Sequence, residues 1–177
     1  MDIKLPIVSR GITMAEIPGR ITYYIEIGNC VRDCQGCHSP YLSEPIDPVN
    51  FTDLTELLED CKKDMNRGAD AVLIMGGTTN GIPLETLEKV IRAFSRLLPV
   101  GIYSGDAVLS PSTSFLMKLN CLTWIKAGEY NEELGGLSSP TTNQRFYKAI
   151  PLLHFESNGF YAGSTVEWID KTEEFQL

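Results

Sequence analysis

The sequence predicts an α/β fold, an open and partial (β/α) barrel with a short β-rich C-terminal tail. Between residues 21 and 128, strand-like apolar runs alternate about four times with segments of helical spacing. Such alternation is typical of parallel strands joined by helical crossovers. A closed barrel of eight units typically needs about 250 residues, and this chain has 177. We therefore expect a single domain over residues 1–177, with its core at about residues 20–150.

The first two strands are predicted from different patterns. Residues 21–28 are β-branched and aromatic, which favours a strand. Residues 71–75 form a continuous apolar run that ends in two glycines, a pattern typical of a buried parallel strand. Between them, Asp53 and Glu56 resemble a helix N-terminal capping pair, and apolar residues recur at helical spacing after them.

The alternation continues through two further units. Pro83 is expected to open a helix, and Ser110-Pro111 to start another. Strands are predicted at residues 100–103 and 122–126. Residues 131–144 are predicted to form a loop, and two or three short extended runs surround a predicted turn at Asn158-Gly159.

Composition and charge exclude several classes of function. The formal net charge is -8 with no evident basic patch, which argues against nonspecific binding to nucleic acid or to an anionic membrane. No run of about 18 apolar residues is present, so we expect no membrane-spanning helix. The N-terminal residues lack the features of a signal peptide. We therefore expect a cytoplasmic protein whose five cysteines do not form a disulfide framework.

Three cysteines lie close together directly after the first predicted strand. Cys30, Cys34 and Cys37 have the spacing C-x3-C-x2-C. Three thiolates can bind three irons of a four-iron cluster and leave the fourth iron without a protein ligand. An open coordination position is typical of a metal centre that performs chemistry. The spacing therefore predicts a [4Fe–4S] cluster with an open iron.

Three other interpretations of these cysteines compete with the cluster. Residues 34–38 match the C-x-x-C-H pattern of c-type haem attachment, and residues 34–37 match a thioredoxin-like pair. Both leave Cys30 without a role, and haem attachment normally requires export. A zinc site would need Cys61, Cys121 or His154 as its fourth ligand, and no second paired motif supplies one. Cys61 and Cys121 are expected to be core residues.

The cysteine motif and two later segments together resemble a known family. Gly28 to Pro40 includes Gly36-Cys37-His38, Gly76-Gly77 follows the second strand, and residues 135–147 contain Thr142-Asn143-Gln144-Arg145. This combination resembles the radical S-adenosylmethionine superfamily, and within it the activating proteins of anaerobic (class III) ribonucleoside-triphosphate reductase. The resemblance covers most of residues 21–150, and it implies a barrel of the radical S-adenosylmethionine type.

The resemblance implies an oxidoreductase that activates a glycyl-radical enzyme. In that family, S-adenosylmethionine binds the open iron, and an electron from the cluster cleaves it to a 5′-deoxyadenosyl radical. That radical removes a hydrogen from a glycine of the reductase. The implied partners are the reductase catalytic subunit and a flavodoxin or ferredoxin-type electron donor, with neither nucleic acid nor membrane. Two alternatives remain open: a 7-carboxy-7-deazaguanine synthase-like enzyme acting on a nucleoside precursor, and a non-catalytic zinc-binding module.

The resemblance also implies roles for individual residues. The cluster ligands would be Cys30, Cys34 and Cys37, and no catalytic residue is implied beyond the cluster and the cofactor. The residues implied in binding S-adenosylmethionine are Gly36, His38, Gly76, Gly77, Thr78, Ser104 and Lys126. Thr78 stands where the family motif usually carries an acidic residue, which leaves a backbone role for this turn. Asn143, Gln144 and Arg145 are expected to line the approach of the partner.

Overall fold

A computed structural model describes residues 3–155, 157 and 161–176 of the chain. In this part of the chain, nine strands form one seven-stranded mixed sheet and one small two-stranded sheet. The strands are β1 (Lys4–Leu5), β2 (Ile7–Thr13), β3 (Thr22–Ile27), β4 (Thr52–Asp53), β5 (Ala71–Met75), β6 (Val100–Tyr103), β7 (Leu122–Ala127), β8 (Arg145–Phe155) and β9 (Tyr161–Asp170). The helices are α1 (Leu54–Met65), α2 (Leu84–Phe94) and α3 (Pro111–Leu116), with 3-10 turns at Pro40–Ser43, Pro48–Asn50 and Thr172–Phe175.

The large sheet is parallel in its middle and antiparallel at both edges. Its strand order is β2-β3-β5-β6-β7-β8-β9, while β1 pairs with β4 separately. The neighbours β3/β5, β5/β6 and β6/β7 are parallel. Each of these three crossovers contains one α-helix. The four predicted parallel strands and their helices are therefore confirmed.

The predicted fold class, a partial (β/α) barrel of the radical S-adenosylmethionine type with a short tail, is wrong. The structure is an open mixed sheet in which β2/β3, β7/β8 and β8/β9 pair antiparallel. A parallel neighbour requires a long crossover, whereas an antiparallel neighbour needs only a turn. After β7 the chain reverses through residues 128–144 without a helix, so β8 returns antiparallel. The tail is also long, since β8 has 11 residues and β9 has 10.

The helices begin where the sequence predicts. The Asp53 side chain accepts a hydrogen bond from the Thr55 N–H at 2.8 Å, which caps α1. The Ser110 hydroxyl accepts one from the Thr113 N–H at 3.1 Å and caps α3. Pro83 directly precedes α2 and has no N–H that would need a partner. The predicted turn at Asn158-Gly159 lies outside the described residues.

The apolar clusters on the two faces of the large sheet differ in size. The helix-bearing face has the larger apolar cluster, which includes Ile25, Ile74, Phe94 and Ile125. Cys61 is fully buried in this cluster and Cys121 packs against it, as expected. The other face has a smaller cluster built around Leu73, Trp124 and Phe146. It leaves room for a cavity, which holds the candidate site. None of the helices in the described part of the chain is long and apolar enough to cross a membrane.

Candidate metal and cofactor site

A cavity of about 400 Å³ opens at the C-terminal ends of the parallel strands. One row of neighbouring residues lies beneath it: Glu26 pairs with Met75, Met75 with Tyr103, and Tyr103 with Lys126. Neighbouring residues in a sheet point to the same face, and all four line the cavity. The cavity therefore lies on the face opposite the helices.

All three motif cysteines line this cavity. Their thiols are free and half-buried. The first part of the cysteine loop (residues 28–39) is anchored by its backbone, because Cys30 N–H donates to Leu42 O at 2.8 Å and Val31 N–H donates to Thr79 O at 2.9 Å. The second part is closed on itself by the bond from Cys37 N–H to Cys34 O at 3.1 Å. The loop thus brings the three thiols to one cavity.

Three cysteines that line one cavity form a metal site only when their side chains lie close together. Within residues 3–155, 157 and 161–176, no group of three His, Cys, Asp or Glu side chains is placed closely enough to hold a metal ion. The donor set nevertheless suits an iron–sulfur cluster, since thiolates are the ligands that such clusters use. Cys61 and Cys121 lie in the helix-side core and do not join the three thiols. The side chain of His154 is outside the described part.

The two glycines after β5 are required by the backbone. Gly76 and Gly77 have φ values of 97° and 106°, which favour glycine. A Cβ on Gly77 would lie 2.9 Å from Leu87 Cδ1. The N–H of Gly76 donates to Tyr103 O at 2.9 Å, and that of Gly77 to Asn80 Oδ1 at 2.6 Å. Gly76 lines the cavity, whereas Gly77 does not.

Asn80 joins the glycine turn to the start of the cysteine loop. Its Nδ2 donates to Ile27 O and to Gly28 O, each at 2.8 Å. Together with the bond from Gly77, these contacts satisfy a side chain that is only 5% exposed. No local pattern in the sequence indicates this role, because the partners lie some 50 positions away.

Ser104 and Thr78 form a small polar group after β6 and β5. Thr78 Oγ1 lies 2.8 Å from Ser104 Oγ, and either hydroxyl can be the donor. Ser104 Oγ also accepts the Asp106 N–H at 3.1 Å. Ser104 lines the cavity and is 2% exposed, whereas Thr78 is not a lining residue.

Lys126 is a half-buried cation that lines the cavity, as Arg32 also does. Its Nζ lies 4.8 Å from the centroid of the Tyr103 ring, a cation–π contact. Burial lowers the pKa of Lys126, and the charges of Glu16, Cys34 and Cys37 oppose this effect without cancelling it. Lys126 is therefore close enough to two motif cysteines to interact electrostatically with them.

His38 and Gly36 take different places in the cysteine loop. His38 is exposed, lines the cavity and packs on Tyr130 with ring centroids 4.5 Å apart. Gly36 has a φ of 69°, and a Cβ on it would lie 2.8 Å from the Glu132 carboxyl carbon. Gly36 does not line the cavity.

Of the three late residues expected to line the partner's approach, Gln144 lines the cavity. Gln144 is buried, lines the cavity and donates to Gly128 O at 3.2 Å. Asn143 is exposed and donates to Glu129 O at 3.1 Å. Arg145 Nη1 donates to Thr142 O and Gln144 O at 2.8 Å. These bonds hold the segment against the end of β7, and only Gln144 of the three reaches the cavity.

Arg32 connects the cysteine loop to the ends of two strands. Its Nη2 lies 2.7 Å from Asp106 Oδ1, and its Nη1 lies 2.7 Å from Glu129 Oε2. Burial raises the pKa of Asp106, but the hydrogen bonds from Ser112 and Arg32 outweigh burial and lower it. Sequence reasoning missed this network, because its members are 74 and 97 positions apart.

Comparison with known proteins assigns neither a family nor a function to this chain. We found no match for this chain among family models, curated proteins or solved structures.

Proposed function

We propose that this chain binds a [4Fe–4S] cluster and S-adenosylmethionine and generates the glycyl radical of an anaerobic ribonucleotide reductase. One observation carries the proposal: the three cysteines of the C-x3-C-x2-C motif line the same cavity as Gly76, Ser104 and Lys126. The resemblance of the cysteine loop and of residues 135–147 to the reductase activators supports the choice of substrate. The proposal does not depend on a barrel, because the cavity needs only the ends of the four parallel strands.

Cys30, Cys34 and Cys37 would hold the cluster through their thiolates. When bound, the cluster supplies the electron for reductive cleavage of S-adenosylmethionine, and so for the removal of a hydrogen from a glycine of the reductase. Three protein thiolates leave one iron free for the cofactor. A flavodoxin or ferredoxin-type protein would provide the electron. We place the activity in the cytoplasm, where thiols are kept reduced.

The other residues of the cavity bind and orient the cofactor in this proposal. The Lys126 ammonium attracts the carboxylate of S-adenosylmethionine. The Gly76 N–H is already bonded to Tyr103 O, so the polar atom that Gly76 has left is its carbonyl oxygen. That oxygen would accept a hydrogen bond from the cofactor's ammonium group. The Ser104 hydroxyl contributes a further polar contact, and the rings of His38 and Tyr130 offer an apolar surface beside Cys37.

The experiment is an anaerobic assay of the reconstituted chain with S-adenosylmethionine and a chemical reductant. We expect 5′-deoxyadenosine to form and a glycyl radical signal to appear by electron paramagnetic resonance only when the reductase is added. If S-adenosylmethionine is cleaved but no glycyl radical appears on the reductase, the proposed role as an activase is rejected. The proposed cleavage of S-adenosylmethionine by this chain would then still stand. An iron-loaded chain that forms no 5′-deoxyadenosine would reject both. Cys34→Ala is the matched inactive control.

A further inference from the structure

Arg32 is the positively charged side chain within the first interval of the cysteine motif. It lies between Cys30 and Cys34 and reaches two different loops, one after β6 and one after β7. Its two terminal nitrogens each meet a separate carboxylate at 2.7 Å. A planar guanidinium can make two such bonds at once, whereas a lysine ammonium is a single point charge. We call Arg32, Asp106 and Glu129 the Arg32 clamp.

Asp106 is held in place by hydrogen bonds that do not involve Arg32. Ser112, at the start of α3, donates a hydrogen bond to Asp106 Oδ2. The Asp106 N–H donates to Ser104 Oγ, and its carbonyl oxygen accepts the Gly128 N–H at 2.7 Å. Its side chain is 17% exposed, against 56% for Glu129. Asp106 is therefore the rigid half of the clamp, and Glu129 is the exposed half.

The two parts of the cysteine loop depend on different anchors. Cys30 and Val31 are tied to Leu42 and Thr79 through their backbones. Among the residues that the structure describes, the hydrogen bonds from residues 32–37 to positions outside the loop all come from the Arg32 side chain. The clamp therefore supplies the hydrogen bonds that fix Cys34 and Cys37 relative to Cys30, alongside the packing of His38 on Tyr130.

We propose that the Arg32 clamp positions Cys34 and Cys37 over the cavity and so determines how tightly the three thiols bind metal. Arg32 is a positioning residue: it lines the cavity, but its two terminal nitrogens are bound to Asp106 and Glu129, so it acts on metal binding through the cysteines. The metal part of this inference rests on the proposed function, whereas the ordering of the loop does not. Loss of groups that orient metal ligands typically costs about tenfold to a hundredfold in metal affinity.

The test compares Arg32→Gln with the wild type as full-length, metal-free protein under anaerobic conditions. Hydrogen exchange followed by mass spectrometry measures the order of residues 32–37 and, separately, of residues 28–31. A Co²⁺ titration followed through thiolate-to-metal absorption measures metal affinity. We expect faster exchange in residues 32–37 alone, at the Cys37 N–H that is bonded to Cys34 O, and a loss of Co²⁺ affinity of about tenfold or more.

Two variants separate positioning from loss of charge or of stability. Arg20→Gln removes an arginine that pairs with Asp70 at 3.0 Å, away from the cysteine loop, and should change neither readout. Arg32→Lys keeps the positive charge beside the thiols but cannot make both bonds, so its affinity should lie between those of the wild type and Arg32→Gln. If Arg32→Gln does not fold, Glu129→Ala replaces it, because that variant removes only the exposed bond.

Several outcomes would overturn the proposal. They are unchanged exchange and unchanged affinity in Arg32→Gln, equal effects in Arg20→Gln, or full recovery in Arg32→Lys. A wild-type chain that binds no metal through these thiols would refute the proposed function and the metal part of this inference. The exchange comparison would still decide whether the clamp orders the loop.

Discussion

Replacing Asn80 with alanine should weaken the fold at the point where the glycine turn meets the cysteine loop. Asn80 makes three short hydrogen bonds, at 2.6 Å with Gly77 and at 2.8 Å with Ile27 and Gly28, besides a long contact of 3.4 Å from the Thr79 hydroxyl. A typical intramolecular hydrogen bond contributes about 1 kcal/mol net, and a buried group left without a partner costs about 1–3 kcal/mol. Three bonds therefore predict a loss of about 3 kcal/mol in the free energy of unfolding.

Urea unfolding of the metal-free protein measures this loss directly. Asn120→Ala is the matched control, because its side chain is exposed and makes one long contact of 3.4 Å with Arg92. That control should stay within about 0.5 kcal/mol of the wild type. Asn80→Asp keeps the acceptor for Gly77 but loses both donors, so it should also be strongly destabilised. A loss below about 1 kcal/mol for Asn80→Ala would refute the reasoning.

Three further predictions concern the glycine turn, a core thiol and the cavity lysine. Gly77→Ala should lower the free energy of unfolding by about 2 kcal/mol. Gly81→Ala should lower it less, because Gly81 also has a positive φ but has open space around it. Equal losses would contradict a clash between the new methyl group and Leu87. Burial raises the pKa of Cys61 to about 11, so the folded state keeps the thiol protonated while the unfolded state ionises. Stability measured by urea should therefore fall as pH rises from about 9 to about 11, and an unchanged slope in Cys61→Ala would contradict this cause. Lys126→Ala should weaken S-adenosylmethionine binding, measured by equilibrium dialysis on the iron-loaded chain, without lowering iron content; unchanged affinity would remove Lys126 from the site.

The central parallel strands could be predicted because their patterns are local. The run 71–75 is apolar throughout, and β5 is buried on both faces. The caps at Asp53 and Ser110 are likewise local, since each side chain bonds an N–H two or three positions away. These elements led to the correct parallel core.

The edges of the sheet could not be predicted in the same way. In β2, Ser9, Arg10 and Gly11 interrupt any apolar alternation, and the strand is held by pairing with β3. Whether the chain continues as a barrel or reverses after β7 depends on the loop at residues 128–144, which has no periodic signal. The fold class was wrong for this reason, although the strands that carry the cavity were right.

The candidate site was only partly visible in the sequence. The cysteine spacing and the strand-end positions of Gly76, Ser104 and Lys126 pointed to residues that line one cavity. Arg32 and Asn80 were missed because their partners are distant in sequence and ordinary in type. A side chain that joins three segments leaves no pattern in any one of them.

Iron and acid-labile sulfide analysis of the anaerobically reconstituted chain tests the central claim most directly. The account predicts about four irons and four sulfides per chain, and neither in a variant that lacks Cys30, Cys34 and Cys37. A chain that takes up no iron, or that holds one zinc without sulfide, would contradict it.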